Sequence, residues 1–437
     1  MGFGLAFGVL VLLGLGTGAV TGLSPGLHVN NVAAIVLATR ASWIALVLGP
    51  WAAEYPATLG LLLSCYLLAT AVSHGVFDFV PSVFFGAPTE ETALSILPGH
   101  RMLLAGEGAR AVALAARGCV LGTAIAVALL LPLRWLLGEP VGLAQAFRPW
   151  TAVFLVGMLA ALLGTEIRSG RQRRRRVLRA AWVQLLAGLL GLAVLEGPSG
   201  LDSNVALFPL FSGLFGMPTL VLSLRTRPGE IPPQSTEALE PLSLPEAGHA
   251  ARGALAGAAV SWLPGLSGGA AATLAALGGR RKLAPPAFMV ILGAVSTSTA
   301  VLSVSVLFMI GRARSGTAAA VRELLGTSGG WTNPLVLPPS VLWLALASVL
   351  AGVLAAPLAT AVARLLASRW SQVDPRLLSA GTLLGLAVLI GLASGPVGLA
   401  VAGLACLVGL VPVRGGVRRV HLMASLLVPV LAGYLVA

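Results

Sequence analysis

The sequence predicts an all-α, polytopic integral membrane protein with roughly 10–14 transmembrane and re-entrant helices in two homologous halves. Three observations predict it. Hydrophobic residues make up 57% of 437 and charged residues 10%, at a mean hydropathy of +0.94, and the apolar sequence recurs from end to end. It comes in blocks of bilayer-crossing length, and runs such as Val120 to Pro132 lack the alternation of a β-barrel strand. Two Pro-Gly elements, at Pro25-Gly26 and Pro264-Gly265, lie 239 residues apart (264 minus 25), about half the chain.

Apolar blocks of the first half fall at 3–23, 27–48, 57–73, 75–87, 111–133, 151–166, 180–196 and 203–223. A polar stretch with Pro228, Pro232, Pro233, Pro241 and Pro245 follows, and it carries Glu230, Glu237, Glu240 and Glu246. It reads as a linker, giving a first membrane repeat at 1–224, a linker at 225–250 and a second repeat at 251–437. Blocks of the second half fall at 251–263, 266–278, 285–311, 336–363, 377–393, 396–412 and 420–436. The halves also match where Ser73 to Asp78 stands against Ser296 to Val301, and where Gly86 to Thr92 stands against Gly311 to Thr317. Whether the repeats are parallel or inverted is open at this level.

Proline removes a helical hydrogen bond and glycine loosens the backbone, so each Pro-Gly element breaks a helix inside the membrane. Broken helices at matching places in two halves point to a transport site. Half-helix N-termini suit a carboxylate or phosphate, and freed carbonyls and hydroxyls suit Na⁺. The first element offers Ser24, Pro25, Gly26, His28, Asn30 and Asn31 as substrate-binding residues. The second offers Pro264, Gly265, Ser267, Gly268 and Gly269, nearly bare backbone that a ligand approaches closely. Ser296, Thr297 and Ser298 are expected nearby. Arg252 precedes the second element and Arg280-Arg281-Lys282 follows it, so it reads as a re-entrant hairpin with both ends cytoplasmic. His74 and Asp78, one helical turn apart in an apolar segment, are candidates for coupling to Na⁺ or H⁺.

The net charge of +13 comes almost wholly from arginine, concentrated in Arg168 to Arg179. Beside membrane helices such a cluster sets topology and meets anionic lipid, so the partner is the bilayer and not nucleic acid. Cys65, Cys119 and Cys406 lie in apolar segments without CxxC spacing and read as buried thiols. There is no GxxxxGK[ST] loop and no HExxH or Cys/His cluster, so neither ATP hydrolysis, a metal nor another cofactor is expected. An intramembrane hydrolase would need Ser24 or Ser73 activated, and nothing in the sequence marks either so; the chain reads as a non-enzyme.

Gly22-Leu23-Ser24-Pro25-Gly26-Leu27-His28-Val29-Asn30, Asp78-Phe79-Val80-Pro81-Ser82, Gly86 to Leu94, Leu97-Pro98-Gly99-His100 and Gly409 to Arg414 together carry a resemblance. The chain resembles the large membrane subunit of tripartite tricarboxylate transporters (TctA), in a divergent archaeal-type branch. The resemblance covers nearly the whole chain. It implies a duplicated permease in the cell membrane that imports a small organic anion with a cation gradient. It further implies a small membrane subunit and an extracytoplasmic binding protein as partners. The bacterial pattern is glycine-rich where this chain has His28, Asn30 and Asn31, and this chain carries Glu90 and Glu91 where that pattern has none. Pro264 to Gly269 is also similar to an element of polyprenyl-phosphate transporters, which implies an alternative, a flippase of a lipid-linked phosphate.

Overall fold

The computed structural model describes residues 2–24, 29–39, 56–84, 96–167, 173–197, 200–201, 203–225, 232–237, 240–263, 268, 271–272, 275, 283–313, 315–326, 330–369 and 375–436. The described residues form helices and contain no strand. In the first half these are α1 (Phe3–Leu23), α2 (Val29–Ala38), α3 (Pro56–Phe77), α4 (Phe79–Phe84), α5 (Ile96–Leu104), α6 (Gly108–Ala128) and α7 (Leu130–Leu137). They continue as α8 (Thr151–Ile167), α9 (Arg173–Leu195), α10 (Ser203–Phe211) and α11 (Met217–Arg225). The second half has α12 (Leu244–Trp262), α13 (Pro285–Ile310), α14 (Gly316–Leu325), α15 (Pro339–Arg369), α16 (Pro375–Gly415) and α17 (Ala424–Val436).

Among the described residues, nine helices are long and apolar enough to cross a membrane. The blocks expected at 57–73 and 75–87 are one of them: α3 and α4 meet at a single turn residue, Asp78, and Thr58–Phe84 is one continuous apolar unit. The separation expected between 393 and 396 is present inside α16. Gly395 takes φ 63 and ψ −163 there, a conformation that favours glycine, and it joins two helices of crossing length ahead of Pro396.

The helices assemble as two bundles, and each draws on both halves of the chain. The first contains α1 to α7 with α12 to α15, around cores that join Leu63 and Tyr66 to Leu302 and Ala347, and Val112 and Ala115 to Val290 and Ala359. The second contains α8 to α11 with α16 and α17, around Leu155, Val183, Leu214, Ala405 and Leu427. The polar linker lies across the start of α6. Gln234 Oε1 accepts from the Gly108 N–H at 3.0 Å, and the Arg117 guanidinium donates to Glu246 at 3.0 Å and to the Glu240 carbonyl at 2.7 Å. Ser243 and Glu246 form a capping box that starts α12. Partial burial raises the Glu246 carboxyl, but the Ser243 N–H, Arg117 and the Ser243 hydroxyl outweigh it and hold the group below the ordinary glutamate range.

Glycines set the tightest helix contacts. On α1, Gly14, Gly18 and Gly22 recur every fourth residue and face α3: a Cβ at Gly14 would lie 2.6 Å from the Tyr66 carbonyl oxygen, and one at Gly18 2.6 Å from that of Thr70. On α12, Gly253 faces the Ile291 carbonyl and Ala294, and Gly257 faces Ser298 and Thr299 of α13. Close approach of this kind needs small residues, because in lipid no hydrophobic force presses apolar helices together. The glycine seams also give directions. Contacts advance along both chains together in each seam, so α1 runs parallel to α3, and α12 parallel to α13.

Helices α3 and α13 run opposite ways. The start of α3, at Gly60, touches Leu324 of α14, just beyond the end of α13, while Gly99 of α5, beyond the end of α4, touches Met289 near the start of α13. The α9 start and the α16 end likewise meet, with Arg179 donating to the Gly415 carbonyl at 3.1 Å.

Candidate functional site

Both helix breaks are present in the described residues that flank them. Helix α1 ends at Leu23 with Ser24 extended at φ −99 and ψ 101, and α2 resumes at Val29. Helix α12 ends at Trp262 with Leu263 extended at φ −80 and ψ 130, and Gly268 is again helical and buried. The two end residues hold the same place in their halves, since 263 minus 24 is 239, the Pro-Gly spacing. Proline disfavours the α conformation for the residue before it, which ends each helix at that position. Pro25, Gly26, His28, Pro264, Gly265, Ser267 and Gly269 lie outside the described residues, as does the side chain of Asn31.

The second break turns the chain back. Arg252 on α12 donates to the Ala275 carbonyl at 2.8 Å, so the chain has returned to the first turns of α12 by residue 275. Helix α13 then starts at the same end as α12. This is the path of the expected re-entrant hairpin. The breaks themselves sit toward opposite ends of the first bundle. Gly22, just before the first, packs on Phe77 and Asp78, and Trp262, at the second, adjoins Ile310 to Ala313 beyond α13.

Of the remaining predicted residues, Asn30 at the start of α2 brings its amide against Gly316 of α14, 2.7 Å from where a Cβ would be. Ser296, Thr297 and Ser298 are buried but point to three neighbours. Ser296 Oγ lies over Gly75 of α3, 2.8 Å from a Cβ there. Thr297 Oγ1 donates to the Cys119 carbonyl of α6 at 2.7 Å, and Ser298 donates to its own helix at Val295 while facing Gly257. Successive residues on a helix turn by about 100°, so only Ser296 of the three faces the crossing of α3 with α13.

His74 and Asp78 are 4% and 2% exposed. His74 Nδ1 is 3.1 Å from Thr21 Oγ1, whose hydroxyl donates to the Thr17 carbonyl at 2.9 Å, and Tyr66 donates to Thr17 Oγ1 at 3.0 Å. Ser73 Oγ donates to the Leu15 carbonyl at 2.9 Å. The α1–α3 seam is therefore lined by buried hydrogen bonds from Tyr66 to His74, and the buried Asp78 follows one turn later.

A second buried constellation escapes the sequence reading. Glu166, at the end of α8 and 0% exposed, accepts from the Arg418 backbone N–H at 3.0 Å. His421 Nε2 lies 3.4 Å from the same Oε1, and Arg176 Nε lies 3.5 Å from Oε2. Gln184 links His421 to the Leu159 carbonyl. An acidic residue at the end of an apolar block is a signal by itself, but two of its partners, Arg418 and His421, are 252 and 255 residues away and no spacing announces them. Among the described residues, no group of three His, Cys, Asp or Glu side chains is arranged to hold a metal ion.

The family description that matches this sequence is the tripartite tricarboxylate transporter TctA family, over residues 9–424. The uncharacterized protein MJ1079 of Methanocaldococcus jannaschii is similar, at 30% identity over 318 residues, which cover 72% of this chain and 72% of that one. No solved structure matches. A match from the first helix to the last, on a fold of long apolar helices with paired breaks, establishes the chain as a multi-pass membrane protein that belongs to the tripartite tricarboxylate transporter TctA family.

Proposed function

We propose that this protein is a secondary transporter of a small organic anion, a carboxylate, working by alternating access around the two helix breaks. The observation that carries the reading is the repeated seam. Gly14, Gly18 and Ser24 of α1 match Gly253, Gly257 and Leu263 of α12 at the Pro-Gly spacing, and the helices they pack on run in opposite directions. Units 1–224 and 251–437 are then inverted repeats joined by the linker at 225–250, an arrangement typical of alternating-access carriers. In such an arrangement one break lies nearer each face. Ser24 to Asn31 and Pro264 to Gly269 supply the substrate site with Ser296, and the buried His74 and Asp78 couple transport to Na⁺ or H⁺.

Positive charge orients the protein. Arg110, Arg173 to Arg176, Arg252, Arg369, Arg376 and Arg414 share one end of the helices, which favours that end as the cytoplasmic one. The family description further supports a small membrane subunit and an extracytoplasmic binding protein as partners.

Proteoliposomes test the reading. Saturable uptake of radiolabelled citrate or succinate, stimulated by an inward Na⁺ or H⁺ gradient, is the expected result. The Pro264 to Gly269 element taken alone favours a flippase of a lipid-linked phosphate. That reading wins if polyprenyl phosphate, and no carboxylate, raises the thermal stability of the purified protein.

A further inference from the structure

We infer that the extracytoplasmic face carries an electropositive entry vestibule for a multiply charged organic anion, in the crevice between the two bundles. The inference rests on the transport reading and the orientation above. Basic residues concentrate at the cytoplasmic end, so arginines at the other end run against the bias that sets topology. Arg148 precedes α8, Arg312 follows α13 and Arg322 lies on α14. Three separate segments bring these three guanidinium groups to the wall of one cavity of about 350 Å³, a size that holds a small metabolite. Trp262, the last residue of α12 before the second break, lines the same cavity with Phe147 and Tyr434. The Phe147 and Trp262 rings meet edge to face at 5.3 Å, which ties the segment before α8 to the tip of the hairpin.

The three arginines differ from a structural arginine at the same end. Arg134 on α7 is 6% exposed and spends its guanidinium on the carbonyls of Trp331, Glu139 and Thr332, at 2.7, 2.9 and 3.3 Å. Arg148, Arg312 and Arg322 are exposed, and among the described residues none has a carboxylate or carbonyl partner. Guanidinium groups held at a cavity without counter-charges attract and orient carboxylates or phosphates. Aromatic walls suit the apolar body of the same anion. The cavity is lined by Trp262, the last residue of α12 before the second break, so an anion gathered here is held at the entrance to the proposed site.

The test uses right-side-out membrane vesicles holding the full chain with Ala313→Cys, a lining position. Cys65, Cys119 and Cys406 are buried and give a low background. A membrane-impermeant maleimide is expected to label the new thiol from outside, and citrate to slow labelling about fivefold or more, as occupancy of a pocket does. The Arg148→Gln, Arg312→Gln, Arg322→Gln triple variant is expected to lose that protection and to raise the KM for uptake about tenfold at unchanged maximal rate. Labelling only after permeabilisation, or labelling indifferent to citrate and phosphates alike, overturns the vestibule. Normal uptake with an unchanged KM in the triple variant overturns it too, and leaves the transport reading standing. Protection by a short polyprenyl phosphate and not by citrate supports an anion vestibule while removing the carboxylate from the transport reading.

Discussion

The α1–α3 and α12–α13 seams share a backbone and differ in what lines it. At the 239-residue offset of α12 from α1, Thr17 and Thr21 become Ala256 and Val260. The glycine contacts pair Tyr66 with Ile291 and Ala69 with Ala294, an offset of 225 (291 minus 66), so His74 becomes Thr299 and Asp78 becomes Ser303. Gly14, Gly18 and the Pro-Gly break are kept, while Gly22 becomes Ser261, because close helix approach and a helix stop are geometric needs of both hairpins. The titratable column is present once. Under the transport reading proposed above, a carrier with two equivalent gates has no need of two coupling sites, and the buried His74 and Asp78 place the proposed ion coupling in the first half. The same proposal leaves the anion to the second half, whose break has the sequence Pro264 to Gly269 and whose flank at Trp262 shares a cavity with Arg148, Arg312 and Arg322.

The largest effect expected is on folding. Gly18→Leu drives a side chain into the Thr70 carbonyl and the Ser73 Cβ, each 2.6 Å from the Cβ position, where backbone cannot yield. It should cost about 3 kcal/mol or more and abolish monodisperse protein on size exclusion. Gly257→Leu meets mainly the Ser298 and Thr299 hydroxyls, which can turn away, and should be milder. Gly16→Ala, with nothing within 4 Å, should be silent. Equal damage at all three positions would break the account of the seams.

Next in size is coupling. Asp78→Asn should remove cation stimulation of uptake while protein yield is kept, and Ser303→Ala, at the equivalent place in the second half, should leave stimulation intact. Cation-driven uptake surviving in Asp78→Asn would erase the functional difference between the halves. The smallest effect belongs to the second bundle. Glu166→Gln leaves Arg176, Arg418 and His421 without their buried counter-charge, and should lower stability by about 2–3 kcal/mol in detergent melts. The KM should not change, because Glu166 closes the end of α8 opposite Arg148 and, among the described residues, lines neither helix break nor the arginine-lined cavity.

Much of this was legible in the chain. Blocks of apolar residues gave the helices, and the Pro264 to Pro25 spacing gave the paired breaks, because membrane thickness and proline chemistry act locally. Three things were not legible. Ser73 to Asp78 matches the second half at 225 and not at the 223 (296 minus 73) that aligning hydroxyl runs suggests, since contacts with Gly18 and Gly257 fix the register. His74 looked like a gap between two blocks, although burial and helical continuity on both sides place it within one span. The division into two bundles, each built from both halves, depends on pairings such as Cys119 with Thr297, 178 residues apart, and Glu166 meets His421 across 255 residues, which no local pattern encodes.

Uptake by the double variant Gly26→Leu, Gly265→Leu tests the central claim most directly. In proteoliposomes at matched protein density, the account predicts that cation-driven carboxylate flux falls to the level of empty vesicles while the protein still elutes as the wild type does. Flux equal to wild type would contradict it, because a carrier that works with both breaks filled does not bind its substrate there.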